Sequence, residues 1–160
     1  MQHSVKNRQL QGKMMQQKEL TLPRRLINKL LHLAQASQDH EICGLISKSS
    51  TSEYDYYPIN NVAENPDKRF LMAPDEQLAA MTDIRKQGKE LFAIYHSHPS
   101  APAFPSAMDI EQSNYPDLNY FIISLNTLGV LEMRSFKLLH DENIVETPLI
   151  MEENEPTPLL

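Results

Sequence analysis

An apolar run that begins at Leu91 ends in the histidine pair His96-Ser97-His98, which is followed directly by Pro99. Side chains alternate between the two faces of a β-strand, so the two histidines point to one face and Ser97 points to the other. Proline has no backbone N–H and ends the hydrogen-bonded ladder just after the second histidine. The run predicts a strand over residues 91–98 that presents two imidazoles on one face of a sheet, where both can reach one metal ion.

The segment after this strand can supply a third ligand. Pro102 and Pro105 stiffen a six-residue connection, and Ser106 is a good N-cap for a following helix. Asp109 then lies in the first helical turn, from which its carboxylate can turn back toward the histidines. Two imidazoles and one carboxylate leave a fourth tetrahedral position open to water, which is typical of a catalytic rather than a structural zinc site.

Each part of this pattern also has a purely structural interpretation. A His-x-His pair alone is a weak signal for a metal, and Ser-x-x-Asp alone is a helix-capping signature. Glu41 in isolation indicates a solvated charge, while Cys43 beside Gly44 in an apolar run indicates a small buried hydrophobe. The full spacing, His-x-His-Pro followed by Ser-x-x-Asp, is far rarer by chance than its parts and favours a metal site.

Helices and strands alternate along the rest of the chain. Pro23 suits the first turn of one helix, and a second helix begins at Pro74 and ends before Gly88, which suits a left-handed cap. Strands are predicted at 42–47, 54–60, 120–125 and 130–136, and the last two form a hairpin around a turn at 126–129. This order predicts an α/β domain with a mixed, mostly antiparallel sheet flanked by helices. The apolar helical faces are predicted to contain Leu26, Ile27, Leu30, Leu31 and Ala34 in the first helix, and Leu78, Met81 and Ile84 in the second.

Composition narrows the possible functions. With 160 residues the chain fits one domain and is too short for a (β/α)₈ barrel, which needs about 250 residues. Its 21 acidic and 15 basic residues give a net charge of −6, which disfavours nucleic acid or an anionic membrane as a partner. No apolar run is long enough for a signal-peptide core or a membrane span. The single cysteine excludes an internal disulfide and a multi-cysteine zinc site, and it favours a reducing, cytoplasmic location.

Three regions follow from the distribution of charge and apolar residues. Residues 20–148 are predicted to form the domain, while 1–19 and 149–160 are predicted to be flexible tails. The first segment is basic and rich in glutamine, and the last twenty residues hold acids without any lysine or arginine. Segments of this kind bury too little apolar surface to offset the entropy lost on ordering.

The motif resembles the signature of the JAMM (MPN-type) zinc metalloproteases, which combines His-x-His-Pro with Ser-x-x-Asp. The stretch that begins at Glu41 is similar to the family's Glu-x-Cys-Gly-Leu segment. Residues 60–66, through Phe70 and Pro74, are similar to the connecting region of small prokaryotic members. The resemblance extends over roughly Leu20 to Thr147, and it implies a curved, cytidine deaminase-like sheet wrapped by helices.

The resemblance also implies a role for each matching residue. His96, His98 and Asp109 would bind Zn²⁺, which activates a water molecule and polarises the scissile carbonyl. Glu41 would carry the water proton to the leaving amine, and the Ser106 hydroxyl would donate to the developing oxyanion in competition with a capping role.

The implied reaction is hydrolysis of a peptide or isopeptide bond after the C-terminal glycine of a ubiquitin-like or sulfur-carrier protein. The short connection between Pro99 and Ser106 lacks the long insertions with which chain-specific members hold a second ubiquitin. Phe104, in that connection, is interpreted either as a wall of the substrate channel or as an anchor of the loop.

Three alternatives share parts of the motif. A non-catalytic MPN-type interaction module is disfavoured because all five motif residues are present. A RadC-type domain usually has His-Asn-His-Pro and a basic surface, so Ser97 and the acidic balance count against it. A phage-tail-assembly peptidase often carries a second peptidase domain, for which this chain has no room.

Overall fold

The computed structural model of the chain describes residues 18–126, 130–140 and 143–153. Residues 127–129 of the predicted turn and most of the two predicted tails lie outside these ranges. Within them, none of the helices is long and apolar enough to cross a membrane. The elements of the described residues are β1 (Leu20–Leu22), α1 (Arg24–Gln35), β2 (Cys43–Lys48), β3 (Tyr54–Ile59), α2 (Pro74–Lys86), β4 (Glu90–His98), α3 (Ala107–Gln112), β5 (Asn119–Ser124), β6 (Glu132–Leu138), β7 (Ile144–Thr147) and β8 (Leu149–Met151).

Six strands form the main sheet in the order β3-β2-β4-β5-β6-β7. The central pair, β4 and β5, is parallel, whereas the other four pairs are antiparallel. The predicted mixed, mostly antiparallel sheet is therefore confirmed. Parallel neighbours require a crossover connection, and here the crossover from the end of β4 to the start of β5 carries α3.

The two faces of the sheet pack against different helices. On one face, Ile46, Tyr95 and Phe121 pack with the buried residues of α1. On the other face, Ile94 and Ile122 pack with Ile84 of α2. Since His96 and His98 alternate with Tyr95 along β4, both histidines lie on the face that α2 covers.

Both long helices begin and end near the predicted residues. Pro23 is the N-cap of α1 and Pro74 lies in the first turn of α2, while Gly88 adopts the left-handed conformation with φ of 69°. The prediction that Leu78 belongs to the buried face of α2 is wrong, because its side chain is 67% exposed. With 3.6 residues per turn, Leu78 lies about 120° around the helix axis from Ile84, which packs on the sheet.

A small second sheet involves residues that the sequence analysis assigns to the C-terminal tail. Leu149–Met151 form β8, which pairs in parallel with β1. The Leu20 N–H donates to the Pro148 carbonyl at 2.8 Å, and the Glu152 N–H donates to the Leu22 carbonyl at 3.0 Å. Leu149 packs against the core on the α1 side, so this end of the described chain buries an apolar residue despite its acidic neighbours.

Candidate metal centre

Strand pairing brings Glu41 to the histidine pair across a separation of 55 residues. The register of β2 and β4 places Cys43 opposite His96. Two further bonds extend this pairing: the Ile42 N–H donates to Ser97 Oγ at 2.9 Å, and the Ser97 N–H donates to the Ile42 carbonyl at 3.1 Å. In this register Glu41 lies opposite His98, and its carboxylate shares one face of the sheet with both imidazoles.

Four of the five predicted site residues bring polar atoms to one point. The Nε2 atoms of His96 and His98 are 3.0 Å apart, and each lies 3.1 Å from Asp109 Oδ2. The ligand-type atoms of Glu41 and the two histidines all lie within 4.8 Å of one another. All of these side chains are buried, with the Asp109 side chain 8% exposed.

The chemistry of these atoms fits a divalent metal such as zinc. The donor atoms of a tetrahedral zinc site with bonds of about 2.0–2.1 Å are about 3.3–3.4 Å apart, close to the spacing here. His98 Nδ1 donates to the Pro102 carbonyl at 2.8 Å, so the lone pair of the neutral ring is on Nε2. That lone pair faces the carboxylate oxygen of Asp109, and two acceptors at 3.1 Å require a proton or a cation between them.

The helix cap holds Asp109, the third predicted ligand, in place. Ser106 Oγ accepts a hydrogen bond from the Asp109 N–H at 3.1 Å, and Asp109 Oδ2 accepts one from the Ser106 N–H at 2.9 Å. This reciprocal capping box confirms the predicted N-cap. The cap uses a lone pair of Ser106 Oγ and leaves its proton free, so the expected competition between capping and donation to an oxyanion does not arise.

The electrostatic environments of the two carboxylates are opposite. Burial raises the pKa of Glu41 to about 8, although the nearby His98 counteracts part of the shift. Burial also acts on Asp109, but hydrogen bonds from His96 and His98 outweigh it and hold its pKa well below the usual range. Among the described residues, Glu41 Oε1 has no hydrogen-bond partner. One carboxylate is therefore kept ionised, while the other can exchange a proton near neutral pH.

The histidines also differ from each other. Burial lowers the pKa of His96 despite its bond to Asp109. For His98, hydrogen bonds to Asp109 and to the Pro102 carbonyl outweigh burial and raise the pKa.

Two residues of the segment between β3 and α2 contact the centre in ways that the sequence analysis does not specify. The Phe70 ring stacks on the imidazole of His96 at 4.6 Å between centroids. Asn61 Nδ2 donates to the Glu41 carbonyl at 3.0 Å. The only sequence signal for either residue is the similarity of this segment to the connecting region of JAMM proteins, which carries no role for individual side chains.

A cleft of about 530 Å³ adjoins the centre and provides room for a substrate. Its lining includes His96 and Asp109 together with the apolar side chains of Phe70, Met72 and Tyr115. Phe104 is not among the lining residues; it packs edge-to-face on Phe136 at 5.5 Å, which favours the interpretation as a loop anchor.

Comparisons with known proteins agree with this geometry. The family model described as prokaryotic homologs of the JAB domain matches residues 23–139, a range that includes every predicted site residue. The desampylase of Haloferax volcanii is 31% identical over 86 residues, which cover 52% of this chain and 62% of that protein, less than two thirds of its length. The CysO-cysteine peptidase of Mycobacterium tuberculosis is 25% identical over 126 residues, covering 78% of this chain and 85% of that protein.

A solved structure extends the agreement to the whole domain. The solution structure of protein DSY2949 from Desulfitobacterium hafniense superposes with a TM-score of 0.72 and 34% sequence identity. The superposition covers 84% of this chain and 94% of that one. The resemblance drawn from the motif is confirmed, and the chain belongs to the prokaryotic JAB family.

Proposed function

We propose that this protein is a zinc-dependent metallopeptidase that hydrolyses a peptide or isopeptide bond after the C-terminal glycine of a ubiquitin-like or sulfur-carrier protein. The observation that carries the proposal is the convergence of two imidazoles and one carboxylate, 3.0–3.1 Å apart, beside a buried glutamate. This set of side chains disfavours a non-catalytic interaction module, which has no use for a buried carboxylate whose Oε1 lacks a hydrogen-bond partner among the described residues.

The three ligands and the glutamate have separate tasks. His96, His98 and Asp109 would hold the zinc ion, which supplies Lewis acidity toward a carbonyl oxygen and acidifies a water molecule. The Glu41 carboxylate accepts a proton from the attacking water and delivers it to the departing amine. Burial raises the pKa of Glu41, which makes its carboxylate a stronger base than an exposed glutamate.

Ser106 is positioned next to the centre by its contacts with Asp109 and would support the same step. Its hydroxyl proton is not used by the helix cap, so the O–H can donate to the carbonyl oxygen as negative charge develops there. A single donor of this kind contributes about 10²–10³-fold to turnover in other hydrolases.

The relatives support the substrate class. One is named for a CysO-cysteine conjugate and another is named a desampylase. An extended peptide tail fits the cleft beside the centre, and glycines fit a narrow passage because they have no Cβ. The single-cysteine composition supports a cytoplasmic location, where such conjugates would be met.

The substrate proposal is tested with two fusions of a sulfur-carrier protein, one ending in Gly-Gly-X and the other in Val-Val-X. We expect the zinc-loaded protein to cleave the first and to leave the second uncleaved, as measured by mass spectrometry of the products. Equal rates on both fusions would contradict the proposed specificity. Efficient cleavage of polyubiquitin would favour the competing substrate class.

A further inference from the structure

The backbone N–H and carbonyl of Glu41 itself bond to a loop, although the adjacent Ile42 pairs with Ser97 of β4. Glu41 lies two residues before β2. Its N–H donates to the Pro66 carbonyl at 2.7 Å, and its own carbonyl accepts from Asn61 Nδ2 at 3.0 Å. Both partners belong to the segment 60–73 between β3 and α2. The position of the proposed base therefore depends on how firmly this segment is held.

The side chain of Asn61 uses its full hydrogen-bonding capacity in this segment. Besides the bond to Glu41, Nδ2 donates to the Arg69 carbonyl at 3.0 Å. Oδ1 accepts from the N–H groups of Ala63 at 3.1 Å and Leu71 at 3.0 Å. A primary amide offers two donor hydrogens and two acceptor lone pairs, and here all four are used. One side chain thus connects Glu41 to both ends of the loop.

The same loop supports one of the metal ligands. Phe70, whose ring stacks on His96, lies between Arg69 and Leu71, the two residues that Asn61 holds through their backbone. Ligand placement has further support, because His96 is in the middle of the sheet and Asp109 is fixed by the cap of α3. Among the described residues, the backbone around Glu41 is otherwise held by the bond from its N–H to Pro66 and by the Ile42–Ser97 pairing.

We infer that Asn61 is a positioning residue that sets the location of the Glu41 carboxylate for proton transfer; this inference rests on the proposed function and deepens it. Asn61 acts through the backbone of Glu41 and makes no contact with the reacting atoms. Its loss displaces the base while the three zinc ligands stay in place. The expected signature is a fall in kcat without a loss of zinc.

The first test compares three variants. Asn61→Asp keeps the size of the side chain but replaces the donor nitrogen with an oxygen, and Asn61→Ala removes the amide. The matched control is Asn60→Ala, since the exposed Asn60 amide donates to Glu76 Oε1 at 3.3 Å and, among the described residues, has no bond to Glu41. We expect both Asn61 variants to lower kcat by about 10- to 100-fold, with KM within twofold and one equivalent of zinc retained, because small misplacements of a catalytic group have effects of this order. Wild-type kcat in both variants, or zinc loss in both, would overturn the inference.

A double mutant distinguishes an effect of Asn61 on the position of Glu41 from a general loss of structure. If Asn61 acts through Glu41, adding Asn61→Asp to Glu41→Gln lowers kcat no further than Glu41→Gln alone. A purely structural role would lower the remaining activity by the same factor in both backgrounds and would contradict the inference.

A third measurement does not depend on activity. Amide hydrogen exchange of Glu41 reports the bond to Pro66, and exchange of Phe121 in β5 reports the integrity of the sheet. We expect about tenfold faster exchange at Glu41 in both Asn61 variants, with Phe121 unchanged. Unchanged protection at Glu41 would overturn the inference. If the wild-type protein hydrolyses no substrate, the proposed function fails, while this measurement still decides whether Asn61 holds Glu41.

Discussion

Glu41 and Asp109 are buried carboxylates beside the same pair of imidazoles, and their surroundings shift their pKa values in opposite directions. Desolvation dominates at Glu41, which lacks a hydrogen-bond partner for Oε1 among the described residues. Hydrogen bonds dominate at Asp109, which receives them from both histidines and from the Ser106 N–H. Such a divergence suits the proposed roles of Glu41 as proton carrier and Asp109 as metal ligand.

The substitution Glu41→Gln tests the proton carrier. Glutamine has the same size but cannot accept the proton, so we expect kcat to fall by about 10²-fold or more, the scale of general-base catalysis. Bound zinc, measured by elemental analysis, should remain at one equivalent. The matched control is Glu64→Gln, an exposed acid in the neighbouring loop, which should leave kcat unchanged. Cleavage by Glu41→Gln at the wild-type rate would refute the role.

At the scale of elements, β2 runs between β3 and β4 with very little space above Gly44. A Cβ at this position would collide with the Tyr95 hydroxyl and with the Tyr57 backbone carbonyl. Both neighbours are held by the sheet, since Gly44 pairs with Tyr95 on one side and Pro58 on the other. The glycine is therefore required for the close approach of the strands that align Glu41 with His98.

The substitution Gly44→Ala should destabilise the fold by about 1–3 kcal/mol, the usual cost of overpacking a filled interior. Urea denaturation followed by circular dichroism measures the change. Tyr95→Phe is the companion variant: the Tyr95 hydroxyl is buried with no hydrogen-bond partner among the described residues, so its removal should cost little. If Gly44→Ala is as stable as wild type, the strands are less closely packed than described.

Another element-level contact gives a pH dependence that can be measured far from the metal centre. Arg134 in β6 donates two hydrogen bonds to Glu146 in β7, at 2.8 and 2.6 Å, and this lowers the pKa of Glu146 below 4.5. A carboxylate with a lowered folded-state pKa stabilises the fold above its unfolded-state pKa, and this contribution is lost as the pH falls through the folded-state value.

We therefore expect Glu146→Gln to reduce the free energy of unfolding by about 0.5 kcal/mol at pH 7, since both side chains are partly exposed and screened by solvent. The difference from wild type should shrink as the pH falls below about 4.5. Urea denaturation at pH 7, 5 and 3.5 checks this trend. A difference that is constant with pH would show that the ion pair is not its cause.

For the whole molecule, local sequence patterns predicted the individual site residues but not that Glu41 approaches the histidines in space. The alternation of His96 and His98 and the Ser106 cap depend on neighbouring residues, so both could be predicted from the sequence. The approach of Glu41 to His98, which are 57 residues apart in the sequence, depends on the register of β2 and β4 and was implied only by the family resemblance. The contacts of Asn61 with Glu41 and of Phe70 with His96 were not predicted either, because tertiary packing sets them.

The predictions for Leu78 and for Leu149–Met151 failed for the same reason: both were made from local sequence, which does not report contacts with distant parts of the chain. Leu78 was assigned to a buried face from its spacing, but the sheet covers a narrower stripe of α2. Leu149–Met151 were assigned to an acidic tail by composition, yet they pair with β1, which itself was not predicted. Short strands that are stabilised by a distant partner leave little local signal.

Zinc should stabilise the folded protein as a whole, because the ligands are assembled only in the folded state. At a free zinc concentration of 100 times Kd the expected gain is about 2.7 kcal/mol, which should raise Tm by several degrees. Differential scanning calorimetry of zinc-free and zinc-loaded protein measures the shift. The variant His96→Ala/His98→Ala should bind no zinc and show no shift, whereas an equal shift in this variant would place the metal elsewhere.

The register that aligns Glu41 with His98 also determines whether the centre is assembled at all. A slip of one residue between β2 and β4 would turn Glu41 and Cys43 to the opposite face together, since side chains in a strand alternate with a period of two. A mispaired molecule would then have its proposed base on the wrong side of the sheet and not merely out of place. Any mispaired chains in a preparation would accordingly be inactive and not merely slower. Active-site titration would then count correctly paired chains, and variation in specific activity between batches would measure the quality of refolding.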